Sequence, residues 1–249
     1  MPIILAIETS SELASCALLN SAAGTDAPAV ATVLTRETSG VRTHSQSVLP
    51  MVQELLLDAG VTLADCDAIA FGAGPGSFTG VRTACGVAQG LAFGARKPVL
   101  PLVTLEAMAE ACRARTGATE VLAVLDARMG EVYWGQYRWN GEWQIVREPV
   151  LCAPGDVAPE PVAGLVACGN GFAAYPEAFA ARAWAAGAHA DILPHAREFA
   201  VLGVTALAAG RAVPADEAQP LYLRNKVAYT SAERQAINAA KAGTQQVAP

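Results

Sequence analysis

Residues Gly72–Arg82 read Gly-Ala-Gly-Pro-Gly-Ser-Phe-Thr-Gly-Val-Arg, between an apolar run, Ala68–Phe71, and a helix-like run from Val81 to Phe93. A glycine-rich turn leading from a strand into a helix points backbone N–H groups outward at a positive helix end. That suits an anion or a closely approaching backbone. The candidate contacts are Gly74, Gly76, Ser77, Thr79, Gly80 and Arg82. No lysine follows, so this is not the phosphate loop that ends in Gly-Lys-Ser/Thr. Ser77 is not framed as Gly-x-Ser-x-Gly, so a hydrolase nucleophile elbow is not supported. The plainer alternative is a tight strand-to-helix connection with Ser77 or Thr79 capping the helix. Two carboxylates come next. Glu8, followed by Thr9 and Ser10, ends the run Leu5-Ala6-Ile7, and Asp126 ends Leu122–Leu125. Facing one another across a cleft they could hold a metal or act as acid and base. They could equally be strand ends, satisfied locally by Thr9, Ser10 and Arg128. His44, His189 and His195 lack metal-ligand spacing, so no metal is expected.

The elements that must place these groups follow from periodicity. Short apolar runs predict strands over Ile3–Ile7, Leu13–Leu19, Ala29–Thr35, Pro98–Val103, Val121–Leu125 and Gly164–Cys168. Asn20–Pro28 reads as a loop. Ser47–Ala59 has helical spacing, with Pro50 starting or kinking it and Gly60 ending it. Further helices are expected over Thr104–Arg115, Phe172–Trp184 and His195–Ala209. Glu131–Trp139 and Trp143–Val150 predict a hairpin turning at Asn140-Gly141. Its aromatic residues, Tyr133, Trp134, Tyr137, Trp139 and Trp143, could stack on bases or pack across the strands. The order β-β-β-α-β-α-β-α then recurs in shortened form. This predicts an α/β protein of two duplicated lobes facing a cleft, over 1–103 and 104–226. The helix near 195–210 could fold back on the first lobe. Residues 227–249 read as a polar, fraying tail.

Bulk composition narrows the function classes. The chain has 249 residues, 53% of them hydrophobic and 16% charged, with a formal net charge of −6. An autonomous nucleic-acid or membrane binder would carry a basic face, so any RNA role belongs to a partner or a local patch. The six cysteines form no Cys-x-x-Cys pair and read as small buried hydrophobes in a reducing compartment. No run approaches a membrane span and the first residues are too few for a signal peptide, which points to the cytoplasm. One helix raises a further question. Gly86, Gly90 and Gly94 recur every four residues along one face, beside Ala84, Ala88 and Ala92. Interior glycine costs a helix roughly 1 kcal/mol relative to alanine. Close approach of another backbone is the physical reason to keep three of them, whether the chain's own sheet or a helix of another subunit.

Several blocks together resemble the TsaB (YeaZ) family: Ile4–Ser10, His44–Gln46 through Leu49–Met51, Phe71–Arg82, Gly86–Ala92, Asp126–Tyr133 and Gln219–Arg224. The resemblance covers Ile3 to about Lys226. It implies an actin-like ATPase (ASKHA) fold of two ribonuclease-H-like lobes. It also implies an accessory role in making threonylcarbamoyladenosine beside the anticodon of tRNA. In that family the subunit pairs with the catalytic relative TsaD, joined by the P-loop ATPase TsaE, and forms homodimers when alone; tRNA is met only through the complex. The catalytic relatives carry Asn-His-Leu-Glu-Gly-His, with both histidines on metal. The matching residues here are Val103-Thr104-Leu105-Glu106-Ala107-Met108, which offer no imidazole. Glu8 stands where most family members have aspartate. The expectation is therefore a non-catalytic subunit with no cofactor and no metal. Its partner interface would be built on Val48, Met51, Val52 and Leu55 of one helix and Val81, Cys85, Gly86, Gln89, Gly90 and Phe93 of the other. The competing reading is a nucleotide-binding ATPase or phosphotransferase using Glu8, Thr9 and Asp126; a peptidase ranks last.

Overall fold

A computed structural model of the chain describes residues 2–20, 32–39 and 44–224. The expected loop up to Pro28, the start of the strand at Ala29 and the tail lie outside the described residues. The first sheet contains β1 (Ile3–Glu8), β2 (Leu13–Asn20), β3 (Thr32–Ser39), β4 (Ala68–Gly74) and β5 (Val99–Val103), in the order β3-β2-β1-β4-β5. β1 runs antiparallel to β2 and parallel to β4. Its alternation explains the unbroken apolar run. Leu5 and Ile7 face α1 (His44–Ala59) and α2 (Phe78–Ala95), while Ile4 and Ala6 face α6 (Ala196–Ala208). A strand buried on both sides has no polar face to show.

The second sheet contains β6 (Glu120–Arg128), β7 (Glu131–Trp139), β8 (Trp143–Cys152) and β9 (Leu165–Cys168), in the order β8-β7-β6-β9. In both sheets three antiparallel strands are followed by a strand parallel to the first of them. Helix α3 (Thr104–Thr116) packs Leu105, Met108 and Cys112 onto Val121, Ala123 and Leu125. The hairpin aromatics pack on one another: the Trp139 and Trp143 rings meet edge-on at 5.3 Å, and Tyr137 meets Trp143 at 6.4 Å.

Two elements differ from expectation. α1 starts at His44 rather than at Ser47 and carries Pro50 in its interior, so the proline does not start it. The expected helix Phe172–Trp184 is broken into α4 (Gly171–Ala174), α5 (Pro176–Phe179) and a single turn at Ala183–Ala185. Pro176 supplies no N–H, and Tyr175 before it leaves helical geometry (φ −135°, ψ 57°). The broken path lets Phe172, Phe179 and Trp184 cluster, with ring centroids 4.8–6.4 Å apart, over Leu122 and Val124. All six cysteines are free, and five of them are buried. Among the described residues no helix is long and apolar enough to cross a membrane.

Candidate functional site

The ends of β1, β4 and β6 converge on a cleft of about 340 Å³ between the two sheets. Ser10, Glu12, Gly76 and Ser77 line one wall, and Asp126, Arg128 and Asn170 the other. Asp126 lies almost wholly out of solvent and is fully engaged. Its Oδ1 accepts from the Arg128 N–H at 2.8 Å and the Tyr175 hydroxyl at 3.0 Å, and its Oδ2 lies 3.3 Å from the Arg128 guanidinium. The Asp126 N–H donates to Asn170 Oδ1 at 2.9 Å. Arg128 also pairs with Glu12 on the opposite wall. Arg128, which lines the cleft together with Arg224, is thereby shared between two carboxylates.

Glu8 does not line this cleft. It is fully buried on the α6 side of the first sheet, against Gly72 and Phe199. A Cβ at Gly72 would stand 1.7 Å from Glu8 Oε2, so glycine is what makes room for the carboxyl group. Glu8 Oε1 accepts from the Ser10 N–H, whereas Oε2 has no hydrogen-bond partner. Burial pushes the carboxyl up to about 7, only partly offset by its hydrogen bonds to Ser10. The two carboxylates singled out in the sequence are therefore not brought together: one is satisfied in the cleft wall, the other sealed behind the sheet. Among the described residues no group of three or more histidine, cysteine or acidic side chains could hold a metal.

The glycine turn serves the chain's own backbone. A Cβ at Gly80 would meet the Thr9 carbonyl oxygen at 1.9 Å, one at Gly76 the Ser10 Cβ at 2.6 Å, and one at Gly74 the Leu221 carbonyl at 2.9 Å. Gly74 also sits at φ 111°, which side-chain-bearing residues rarely adopt. Thr9 Oγ1 donates to the Gly80 carbonyl at 2.7 Å, and the Ser77 N–H donates to the Ser10 carbonyl at 2.7 Å. Ser77 rather than Thr79 caps α2, its hydroxyl accepting from the Gly80 N–H at 3.3 Å. Arg82 stacks on the Phe78 ring, 3.7 Å from its centroid, and donates to the Tyr222 hydroxyl at 2.8 Å.

The two helices over β1 and β4 present a different surface from the one anticipated. Val48, Met51, Val52, Leu55, Val81 and Cys85 are buried in the chain's own core. Gln89 Nε2 donates to the Ala218 carbonyl at 2.9 Å. What remains outside is an apolar rim, Leu49, Leu57 and Phe93, the last two being 79% and 82% exposed. Along α2 lies an open stripe: a Cβ at Gly86, Gly90 or Gly94 would find nothing within 4 Å. The alanine face of the same helix, Ala84, Ala88 and Ala92, is the one pressed against the sheet. The sequence gives no sign of the Glu12–Arg128 bridge or of Asn170 and Tyr175 as partners of Asp126, because these pairs are far apart in the chain.

Comparison with known proteins gives the following. The family model for TsaD, tRNA N6-adenosine threonylcarbamoyltransferase, matches residues 32–249. The tRNA threonylcarbamoyladenosine biosynthesis protein TsaB of Escherichia coli is 39% identical over 232 residues, covering 91% of this chain and 96% of that protein. The Haemophilus influenzae protein of the same name is 37% identical over 237 residues, covering 91% and 95%. The structure of YeaZ from Pseudomonas aeruginosa superposes with a TM-score of 0.80 at 41% identity, covering 90% of this chain and all of that one. A second crystal structure from that organism, described as similar to the peptidase YeaZ, gives a TM-score of 0.81 at 41% identity with the same coverage.

Proposed function

The chain belongs to the TsaB (YeaZ) family and carries a TsaD-type domain; on that basis we propose that it serves the biosynthesis of threonylcarbamoyladenosine in tRNA as a docking subunit for TsaD, contributing no catalytic group of its own. The observation that carries this reading is the open stripe Gly86–Gly90–Gly94 beside exposed Phe93. Glycines along a helix weaken it unless close backbone contact is regained, and among the described residues nothing supplies that contact. A helix of a second subunit crossing α2 would bury that stripe together with Leu49 and Leu57 of α1. The same face serves TsaD in the heterodimer and a second copy in a homodimer. TsaE joins the pair, tRNA is met through the complex, and the assembly works in the cytoplasm.

The absence of a catalytic role is supported from two sides. Thr104 and Met108 stand where the catalytic relatives place histidines, and both are fully buried, Met108 within the core between α3 and the second sheet. Asp126 is tied to Arg128 and hydrogen-bonded by the Tyr175 hydroxyl, which holds its carboxylate in the cleft wall rather than free for acid–base work. The shared strand order of the two sheets supports their reading as duplicated ribonuclease-H-like lobes of the actin-like type. The test is co-expression with TsaD from the same genome. Gly86→Leu and Gly90→Leu chains are expected to fold but to lose co-elution with TsaD on size-exclusion chromatography. An intact complex with both leucines present refutes docking at this face.

A further inference from the structure

The chain leaves α6 and runs back over the first sheet as an extended strap. Val213 exchanges two backbone hydrogen bonds of 2.8 Å with Val99 on β5. Ala218 is then buried beside α2, and the Leu221 N–H donates to the Ala73 carbonyl at 2.7 Å. Up to this point the strap binds only the first sheet and its helices. Within the next three residues it crosses over. Leu223 packs on the core of the second sheet, and the Arg224 guanidinium, 11% exposed, lies 2.7 Å from Glu131 and donates to the Ala127 carbonyl at 3.1 Å. Arg224 thus grips both ends of the turn that forms one wall of the cleft. That turn needs holding: Arg128 and Met129 both sit at left-handed φ, 61° and 59°, a conformation that side-chain-bearing residues resist.

We propose that residues Pro214–Arg224 act as a clasp that fixes the second sheet on the first, with Arg224 as its catch, so that the cleft opens when this catch is released. A planar guanidinium suits the role because the two arms of its rigid fork reach different partners, Nη2 taking Glu131 and the Ala127 carbonyl while Nη1 lies 3.2 Å from Met129 Sδ, a spread that the single ammonium of lysine does not offer. The exposed Glu12–Arg128 pair across the cleft adds little by itself, since both side chains are more than 60% exposed.

Amide hydrogen exchange on the full chain tests the clasp without any partner, so its outcome is independent of docking to TsaD. In Arg224→Ala, exchange is expected to quicken at least about tenfold in the Asp126–Tyr133 turn and at Leu221 and Tyr222, while β1 and β4 keep their protection. Glu131→Gln releases the catch from the other side without touching the core and is expected to quicken the same segments by a smaller factor. Unchanged exchange in those segments overturns the proposal. So does a uniform rise over the whole chain, because Arg224 would then contribute only to global stability.

Discussion

If the glycines of α2 are kept for a partner, removing them should make the isolated chain more stable. The case is Gly86→Ala with Gly90→Ala. Both positions lie in the interior of an 18-residue helix, and an added Cβ at either meets no atom within 4 Å. No strain therefore opposes the gain in helix propensity, about 1 kcal/mol at each site and roughly 2 kcal/mol for the pair. The two positions are a turn apart and share no side-chain partner, so their effects should add. For a chain of this length, 2 kcal/mol corresponds to a rise of about 4–8 °C in Tm. In urea it corresponds to a midpoint shift of roughly 1 M at an m-value of about 2 kcal/mol/M. Parallel urea titrations of the two proteins, followed by circular dichroism, read this directly. A loss of stability would mean that the glycines already serve close packing within the chain, and the reasoning from an open stripe to a docking face would fail.

Two further outcomes follow from the carboxylates. Glu8 titrates at about 7 in the folded chain against an ordinary 4.5, so the fold favours its protonated form. Its contribution is most favourable below pH 4.5 and is lost as pH rises through about 7, a swing on the order of 3 kcal/mol. Glu8→Gln should roughly halve the pH dependence in urea unfolding between pH 5 and 8 that the two buried glutamates produce, leaving the comparable slope of Glu198, also raised to about 7 by burial; an unaltered profile refutes the assignment. Asp126→Asn weakens the bridge to Arg128 while keeping an acceptor for its N–H and the Tyr175 hydroxyl. It should cost about 1–3 kcal/mol of stability without slowing tRNA modification in the reconstituted complex, and a large rate loss in a folded variant would make Asp126 a catalytic group.

The parts of this fold that are local were legible in the sequence. Short apolar runs placed β1 and β2, and helical spacing placed α3 and α6, to within a few residues, because these patterns repeat within a single element. The glycine stripe of α2 was legible as an anomaly of propensity, although only the structure showed which face it occupies. The helix expected over Phe172–Trp184 failed because aromatic clustering of Phe172, Phe179 and Trp184, with Pro176 between them, outweighed alanine-rich propensity. The core residues of α1 and α2 were read as interface because an apolar helix face does not announce whether its cover lies in the same chain. The separation of Glu8 from Asp126 was not legible either. A carboxylate at a strand end points to one face or the other by register, and Glu8 shares the register of Ile4 and Ala6, which face α6. The strap's hold on Ala73, Ala127 and Glu131 joins residues about 90 or more positions apart, beyond any local pattern.

Reconstitution of the modification reaction puts the docking role to the most direct trial. tRNA and threonylcarbamoyl-adenylate would be incubated with TsaD and TsaE from the same genome alone, with TsaD, TsaE and either the native or the Gly86→Leu, Gly90→Leu chain, or with the native chain without TsaD. Threonylcarbamoyladenosine is expected to form only with TsaD and the native chain together, and to fall to the level of TsaD and TsaE without it when the stripe is blocked. Product formed by the chain in the absence of TsaD, or full activity with the stripe blocked, would contradict the account.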